Sequence, residues 1–355
     1  MTAVLGGAGE GHGGKYVLIR HLNSGGYGSV YEAQDTVSNR RVAIKKSDLF
    51  SDQNDINDQG VPVVVFREGC VLCKLTHPNV VRVYDVYIQE GHHNFVLELC
   101  ACNLREYMGL LDQQGQRCME EAKLQDLMWQ MLSGVEYCHD YQLIHRDIKP
   151  DNILMNADHT VAKLADFGMN RMMRCKAGGH YTDRLVTHWY RPPEIILGST
   201  QYDTSVDIWS MGCVLVEMMM LCPAFACNTE IECLMVIFQR FGTPDEEGWP
   251  EITNLPNYLM EFPKWQKPQN LFHAFGMDEN SPYVTHEVLI DLTERMLAMN
   301  PRTRISASDC LHWHTYLAQY TDDLEDTDDL ESKSEHSSDL ESEEVGEQVL
   351  FAQGG

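Results

Sequence analysis

The chain is 355 residues long and 43% hydrophobic, with 53 acidic against 27 basic side chains and a formal net charge of −26. That length and apolar content suit one large two-lobed domain or two ordinary ones, and the acidic balance argues against direct nucleic-acid binding through a basic face. No apolar run reaches the ~18 residues that a membrane span needs; the longest candidate, around Gly212 to Cys222, is broken by Glu217.

Residues 1–14 (MTAVLGGAGEGHGG) are glycine-rich and read as a disordered tail. Gly9, Gly11 and Gly14 match GxGxxG, but without a preceding strand the pattern has no meaning. From Lys15 the text changes. KYVLIRHL and SVYEAQD read as strands flanking the turn NSGGYG, and RRVAIKK as a third strand. Residues 61–75 (VPVVVFREGCVLCKL) are ambiguous, because VVVF prefers a strand. VVRVYDVYIQ and HNFVLELC follow as strands. After Asn103 the apolar spacing turns to three and four residues: LREYMGLL and EEAKLQDLMWQMLSGVEYCHD read as helices, followed by TSVDIWSMGCVLVEMMM, IECLMVIFQRF and VTHEVLIDLTERMLAM. A small strand-rich lobe over 15–100 and a larger helical lobe over 101–320 make an α+β arrangement. Residues 321–355 read as an acidic disordered tail: Asp322 to Glu347 hold 13 acids against Lys333 alone, about half of the net charge. Ser338 and Ser342 there precede acids, as acidophilic kinases accept, and the tail reads either as a solvating segment or as an attractor of basic partners.

The chain opens without a charged-then-apolar signal segment. Its twelve irregularly spaced cysteines therefore read as reduced, packed thiols of a nuclear or cytoplasmic protein that is not secreted. Cys70 and Cys73 form a lone CxxC, and Cys100 and Cys102 stand too close together to complete a zinc site with it.

Phosphoryl transfer requires a protein to hold a triphosphate with its metal and to aim a hydroxyl at the γ-phosphorus. In NSGGYGSV, Gly25 and Gly28 would let backbone approach phosphates, although a plain hairpin looks the same. Lys45, on the third strand, could pair with the α- and β-phosphates, although a surface lysine looks the same too. HRDIKPDN, from His145 to Asn152, is far more specific. Asp147 would accept the hydroxyl proton, Lys149 would balance γ-phosphate charge and Asn152 would hold Mg²⁺, with His145 bracing the loop. Asp166-Phe-Gly, fourteen residues further on, would supply the carboxylate that binds the bridging Mg²⁺, a hard cation suited to carboxylate and amide oxygens.

With these motifs, residues 15–318 resemble the protein kinase family, and most closely its cyclin-dependent kinase (CMGC) branch. The resemblance implies a two-lobed fold and transfer of the ATP γ-phosphate to Ser or Thr of protein substrates, with Mg²⁺ and a preference for a following proline. Residues 60–68 (GVPVVVFRE) resemble the cyclin-binding helix, which would make Glu68 the partner of Lys45, overrule the strand reading, and place a cyclin-like partner on the 60–75 region. YTDRLVTHWYRPPE (181–194) resembles the activation segment, with Thr182 at the activating phosphosite. A phosphate there adds roughly −1.5 to −2 charges, and the family pattern supplies Arg67, Arg146 and Arg171 to meet them. In the related mitogen-activated branch the segment carries Thr-x-Tyr; here that tyrosine position is Arg184. Residues of about 240–270 resemble the branch's insert. By the same resemblance Leu97-Glu98-Leu99-Cys100 is the hinge to adenine, and Leu22, Val30, Ala43 and Leu154 sandwich the base. Thr187 positions Asp147 and Lys149, Glu194 pairs with Arg304, and Asp207 anchors the catalytic loop.

The sequence departs from the family at three points. Asn23 replaces the first glycine of the phosphate loop, which predicts reduced nucleotide affinity. Gly26 replaces the residue before the possible inhibitory phosphosite Tyr27. Gly69 sits inside the predicted cyclin-binding helix, at about 1 kcal/mol relative to alanine, so this helix is expected to depend on a partner. A cyclin-independent kinase of the same branch and a scaffolding pseudokinase remain the alternatives, and a role in the cell cycle or in transcription stays open.

Overall fold

A computed structural model describes residues 10–11, 14–25, 28–48, 72–166, 188–258, 262–268, 270–275 and 287–312. Residues up to Ser308 form one compact unit and those from Asp309 another. Tyr27, Arg67, Glu68, Arg171, Thr182 and Thr187 lie outside the described residues, and with them the strand-or-helix question over most of 61–75.

The first half is a six-stranded antiparallel sheet in the order β1-β2-β3-β4-β6-β5. Its strands are β1 (Glu10–Gly11), β2 (Tyr16–Gly25), β3 (Gly28–Asp35), β4 (Arg40–Asp48), β5 (Val83–Gln89) and β6 (His92–Glu98). Two departures from expectation occur at its edge. Glu10 and Gly11 pair with Val17 and Tyr16, so part of the glycine-rich tail joins the sheet. Pairing of β2 with β3 also runs through the predicted turn, as Asn23↔Val30, Ser24↔Ser29 and Gly25↔Gly28. Gly28 has φ +125°, and a Cβ there would fall 1.9 Å from the Lys46 carbonyl oxygen, so strand packing alone already demands glycine. Tyr16, Ala33, Val42, Ile44, Tyr87 and Val96 alternate inward to form the sheet's core. The Tyr16 and Tyr87 rings stack with centroids 5.8 Å apart.

One carboxylate fastens three of these strands. Glu32 on β3 is only 3% exposed; it accepts from Arg20 Nε of β2 at 2.6 Å and from Arg41 of β4. Burial alone would push the Glu32 carboxyl up, but the two arginines override this and hold it below its ordinary value. A carboxyl depressed by folding adds stability above the unfolded-state value, and that stability is lost as pH falls through the folded value. The thermal stability gap between the native chain and Glu32→Gln is therefore expected to be widest above about pH 4.5 and to close on acidification. A gap that does not change with pH in parallel melts would show that the arginines do not act on this charge.

The second half is helical: α1 (Leu104–Gln113), α2 (Glu121–Asp140), the short α3 (Pro193–Ile196), α4 (Ser205–Met220), α5 (Glu230–Phe241), the short α6 (Leu271–Ala274) and α7 (Glu287–Met296). Helix α1 begins where the sequence provides a capping box. The Asn103 side chain accepts from Glu106 N at 2.8 Å, and Glu106 Oε2 accepts from Asn103 N at 3.1 Å. Helix α4 is buried on all sides from Val206 to Met219, as its mainly apolar character requires, and no helix among the described residues is long and apolar enough to cross a membrane. Gly212 lets α7 approach it: a Cβ would lie 2.8 Å from Leu297 Cδ2 and 3.1 Å from Met296 Cβ. A second sheet joins β7 (Cys102–Asn103), which precedes α1, to β8 (Ile153–Met155) and β9 (Ala162–Leu164), which follow α2. Leu164 of β9 is clasped by the 79–81 segment, donating to Asn79 O and accepting from Val81 N, both at 2.8 Å. Val80, expected to start β5, instead bridges β9. The whole is the two-lobed α+β arrangement that the sequence predicts.

Candidate active site

The loop from His145 to Asn152 is held from beneath by one buried carboxylate. Asp207, in the first turn of α4 and 1% exposed, accepts from the backbone N–H groups of His145 and Arg146, each at 2.8 Å, and contacts His139 Nε2 at 2.9 Å. His145 is itself buried and its Nε2 reaches the Ala165 carbonyl at 2.8 Å, which ties the loop to the residue before Asp166. Ala165 N donates to Asn152 O at 2.9 Å. Asn152 and Asp166 are thereby brought side by side. Arg146 and Asp166 adopt φ of +69° and +67°, a left-handed conformation that non-glycine residues keep only where surrounding contacts impose it, most often at functional sites.

Around this frame the polar side chains converge. Asp147 Oδ2 accepts from Lys149 Nζ at 2.9 Å and from Asn152 Nδ2 at 2.9 Å, and Asn152 Nδ2 also donates to Asp147 O at 2.7 Å. With its nitrogen so committed, the Asn152 amide has its oxygen to offer a cation. Lys45, opposite Val30 on β3 and Phe95 on β6, reaches across to Asp166 and bonds both carboxylate oxygens, at 2.6 and 2.7 Å. The sequence assigned Lys45 to Glu68, and within the described residues its partner is Asp166. A carboxylate and an amide oxygen suit a hard divalent cation. No group of three His, Cys, Asp or Glu side chains able to hold a metal by themselves occurs among the described residues. A cation here would therefore draw its remaining ligands from phosphate and water.

The predicted nucleotide residues are carried mainly by the strands of both sheets. Leu22 sits on β2, Val30 on β3, Ala43 on β4 and Leu154 on β8. Ala43 pairs with Leu97, and Val42 with Glu98. Glu98 N donates to Arg82 O at 2.9 Å and its carboxylate meets Lys163 at 3.0 Å. Burial pushes the Cys100 thiol up to about 12, which keeps it protonated. Leu97 and Asp166 line a cavity with Leu75, Val80, Val83 and Leu164; the other predicted nucleotide residues do not line it. Of the three arginines assigned to a phosphate, only Arg146 is described, and its guanidinium stacks over the Tyr202 ring at 4.8 Å.

A profile of the protein kinase domain matches residues 16–317. The chain belongs to the protein kinase family. It is also 38% identical over 302 residues to cell division control protein 2 homolog 2 of Trypanosoma brucei brucei, an alignment spanning 85% of this chain and 82% of that protein. Together these place it with the cyclin-dependent kinase-like members, serine/threonine kinases that use ATP and a divalent metal.

In this kinase the Glu194–Arg304 pair expected from the sequence is present, buried and two-pronged, at 2.7 and 3.0 Å. A second network, running from buried Glu217 and Tyr190 out to exposed Asp151, was not anticipated. Arg105 in the first turn of α1 donates to Asp151 Oδ2 at 2.9 Å, Glu217 Oε1 at 2.9 Å and the Tyr190 hydroxyl at 2.7 Å, and Tyr190 donates to Glu217 Oε2 at 2.5 Å. Burial raises both the Glu217 and the Tyr190 values. Through Asp151 this network grips the catalytic loop beside Asn152. The one sequence signal for it was Glu217 interrupting the apolar run of α4, since a carboxylate in such a setting requires a partner.

Proposed function

We propose that this kinase transfers the γ-phosphate of Mg²⁺-ATP to serine or threonine hydroxyls that precede proline, under control of a cyclin-like partner and of phosphorylation at Thr182. The observation that carries the reading is the convergence of Lys45, Asp147, Lys149, Asn152 and Asp166 from three separate stretches of chain. Asp147 orients the acceptor hydroxyl and takes up its proton. Lys149 offers positive charge beside that carboxylate, Lys45 steadies the triphosphate, and Asn152 and Asp166 hold the cation. Bound Mg²⁺ supplies charge neutralisation at the phosphates. Leu22, Val30, Ala43 and Leu154 enclose the base, and the Glu98 and Cys100 backbone pairs with it.

Partner dependence is supported by the composition of 60–69, where a valine run and Gly69 weaken a helix that must bring Glu68 to Lys45. A partner that orders this helix gives Lys45 a second carboxylate, so that Asp166 is released towards the metal. Arg67, Arg146 and Arg171 would receive the Thr182 phosphate, Thr187 would support Asp147 and Lys149, and Tyr27 would be the inhibitory site. The name of the trypanosome relative favours a cell-cycle role, in the nucleus or cytoplasm.

The direct test is phosphate incorporation into Ser-Pro and Ser-Ala peptides with Mg²⁺ or EDTA, with and without candidate cyclins. Incorporation is expected only with Mg²⁺, at least about tenfold faster for Ser-Pro, and strongly raised by partner and Thr182 phosphate together. Full activity of the isolated, Thr182-phosphorylated chain would rule out the partner requirement, and absence of transfer under every condition would rule out the enzyme.

A further inference from the structure

Cys227 and Cys233, which the sequence reads as reduced thiols, stand with their Cα atoms 5.4 Å apart, inside the range that a disulfide accepts. The pair brackets the start of α5, whose N-cap Thr229 accepts from Glu232 N at 3.2 Å, while Glu232 Oε2 accepts from Asn228 N at 2.8 Å. The small loop between the two cysteines is fastened to the 188–191 segment at two points. The Trp189 indole N–H donates to the Cys227 carbonyl at 2.7 Å, and Arg191 pairs with Glu230 in the first turn of α5. Both fastenings sit on residues that a bond between the two sulfurs would restrain.

We propose that Cys227–Cys233 is a reversible redox site that sets the order of the 188–191 segment and, through it, the affinity of the kinase for protein substrates. This rests on the reading of 181–194 as the activation segment. Cys227 is partly exposed and Cys233 fully buried, which fixes the order of events. The Cys227 thiolate attacks a low-molecular-weight disulfide of the glutathione class and expels one glutathione thiolate. Cys233 then attacks Cys227 in the mixed disulfide and expels the second. Two protein thiols become one disulfide, two electrons pass to the glutathione disulfide, and the two protons end on its two thiols. Reduction runs the same steps backwards. Burial holds Cys138, Cys213 and Cys310 protonated, so they do not compete as nucleophiles. Reduction frees the loop from its closure, and the acceptor for Trp189 and the carboxylate for Arg191 lose their fixed place.

The full-length protein, equilibrated across reduced-to-oxidised glutathione ratios, tests this. Alkylation and mass spectrometry are expected to find the 227–233 peptide about 2 Da lighter, as the loss of two hydrogens, at the oxidising end. On reduction, amide exchange over 188–191 should quicken and the KM for a protein substrate should rise about fivefold, at the lower end of ordinary coupling, with the KM for ATP unchanged. Cys227→Ser, which spares the buried sulfur position, should behave as the reduced form in every buffer. Free thiols at the oxidising end, or a disulfide that moves neither exchange nor KM, overturns the proposal. Were the protein inactive in both states, the kinase reading would fail, and exchange over 188–191 would still decide the redox coupling by itself.

Discussion

Asparagine in place of Asp147 is expected to lower kcat by about a thousandfold, within the range that loss of a positioned general base produces, while the melting temperature and ATP affinity stay near their native values. The Asp147 carboxylate takes hydrogen bonds from Lys149 Nζ and Asn152 Nδ2, each at 2.9 Å, and its backbone carbonyl takes a third from Asn152 at 2.7 Å. An amide of the same shape can keep one of its oxygen's contacts and fit the same space, so the loop has no reason to collapse. Its frame also rests elsewhere, on Asp207 and His145. What the amide cannot do is accept the proton of an incoming hydroxyl. Single-turnover transfer measured beside a thermal melt separates the two effects. Activity within tenfold of native, in a protein that melts normally, would mean that another group takes the proton.

Much of this site is legible in sequence because phosphoryl transfer fixes residue types at short spacings. His145 to Asn152 and Asp166 to Gly168 are local motifs, and a local motif needs no knowledge of long-range packing. Asp207 and the Glu194–Arg304 pair came from resemblance, and the structure supplies their geometry: a buried carboxylate under two loop amides, and a guanidinium clasped at both oxygens. The strands were legible by alternation, yet their ends were not. The predicted turn at Asn23 and Ser24 became paired strand because β3 offers those residues partners, and Val80 bridges Leu164 of β9 instead of opening β5. Arg105 escaped notice for a different reason. A lone arginine in a helix looks like surface charge, and only the fold brings it to Glu217, Tyr190 and Asp151, which lie 112, 85 and 46 residues away. Cys227 and Cys233 were passed over because six residues of separation match neither a metal motif nor a disulfide framework.

Arg304→Met is expected to be the most destabilising single exchange away from the apolar core. Its guanidinium bonds both oxygens of Glu194 at 2.7 and 3.0 Å, donates to the Ser205 and Ala298 carbonyls at 2.9 and 3.1 Å, and lies 5.1 Å from the Trp209 ring centroid. Glu194 and Arg304 are 3% and 7% exposed. Methionine fills the volume but leaves the Glu194 carboxylate buried without its countercharge, a loss of about 3–5 kcal/mol when one partner of such a pair is removed. Glu194→Gln should lose less, because Arg304 keeps two backbone carbonyls and an aromatic face. The double exchange should recover part of the loss of Arg304→Met, since neither charge then remains unmatched. Urea unfolding of the three variants gives the order directly, as midpoint shifts at constant slope. If Arg304→Met loses under about 1 kcal/mol, Glu194 has found water or another cation, and the anchoring of the 188–194 segment must lie in the Trp189 and Arg191 contacts instead.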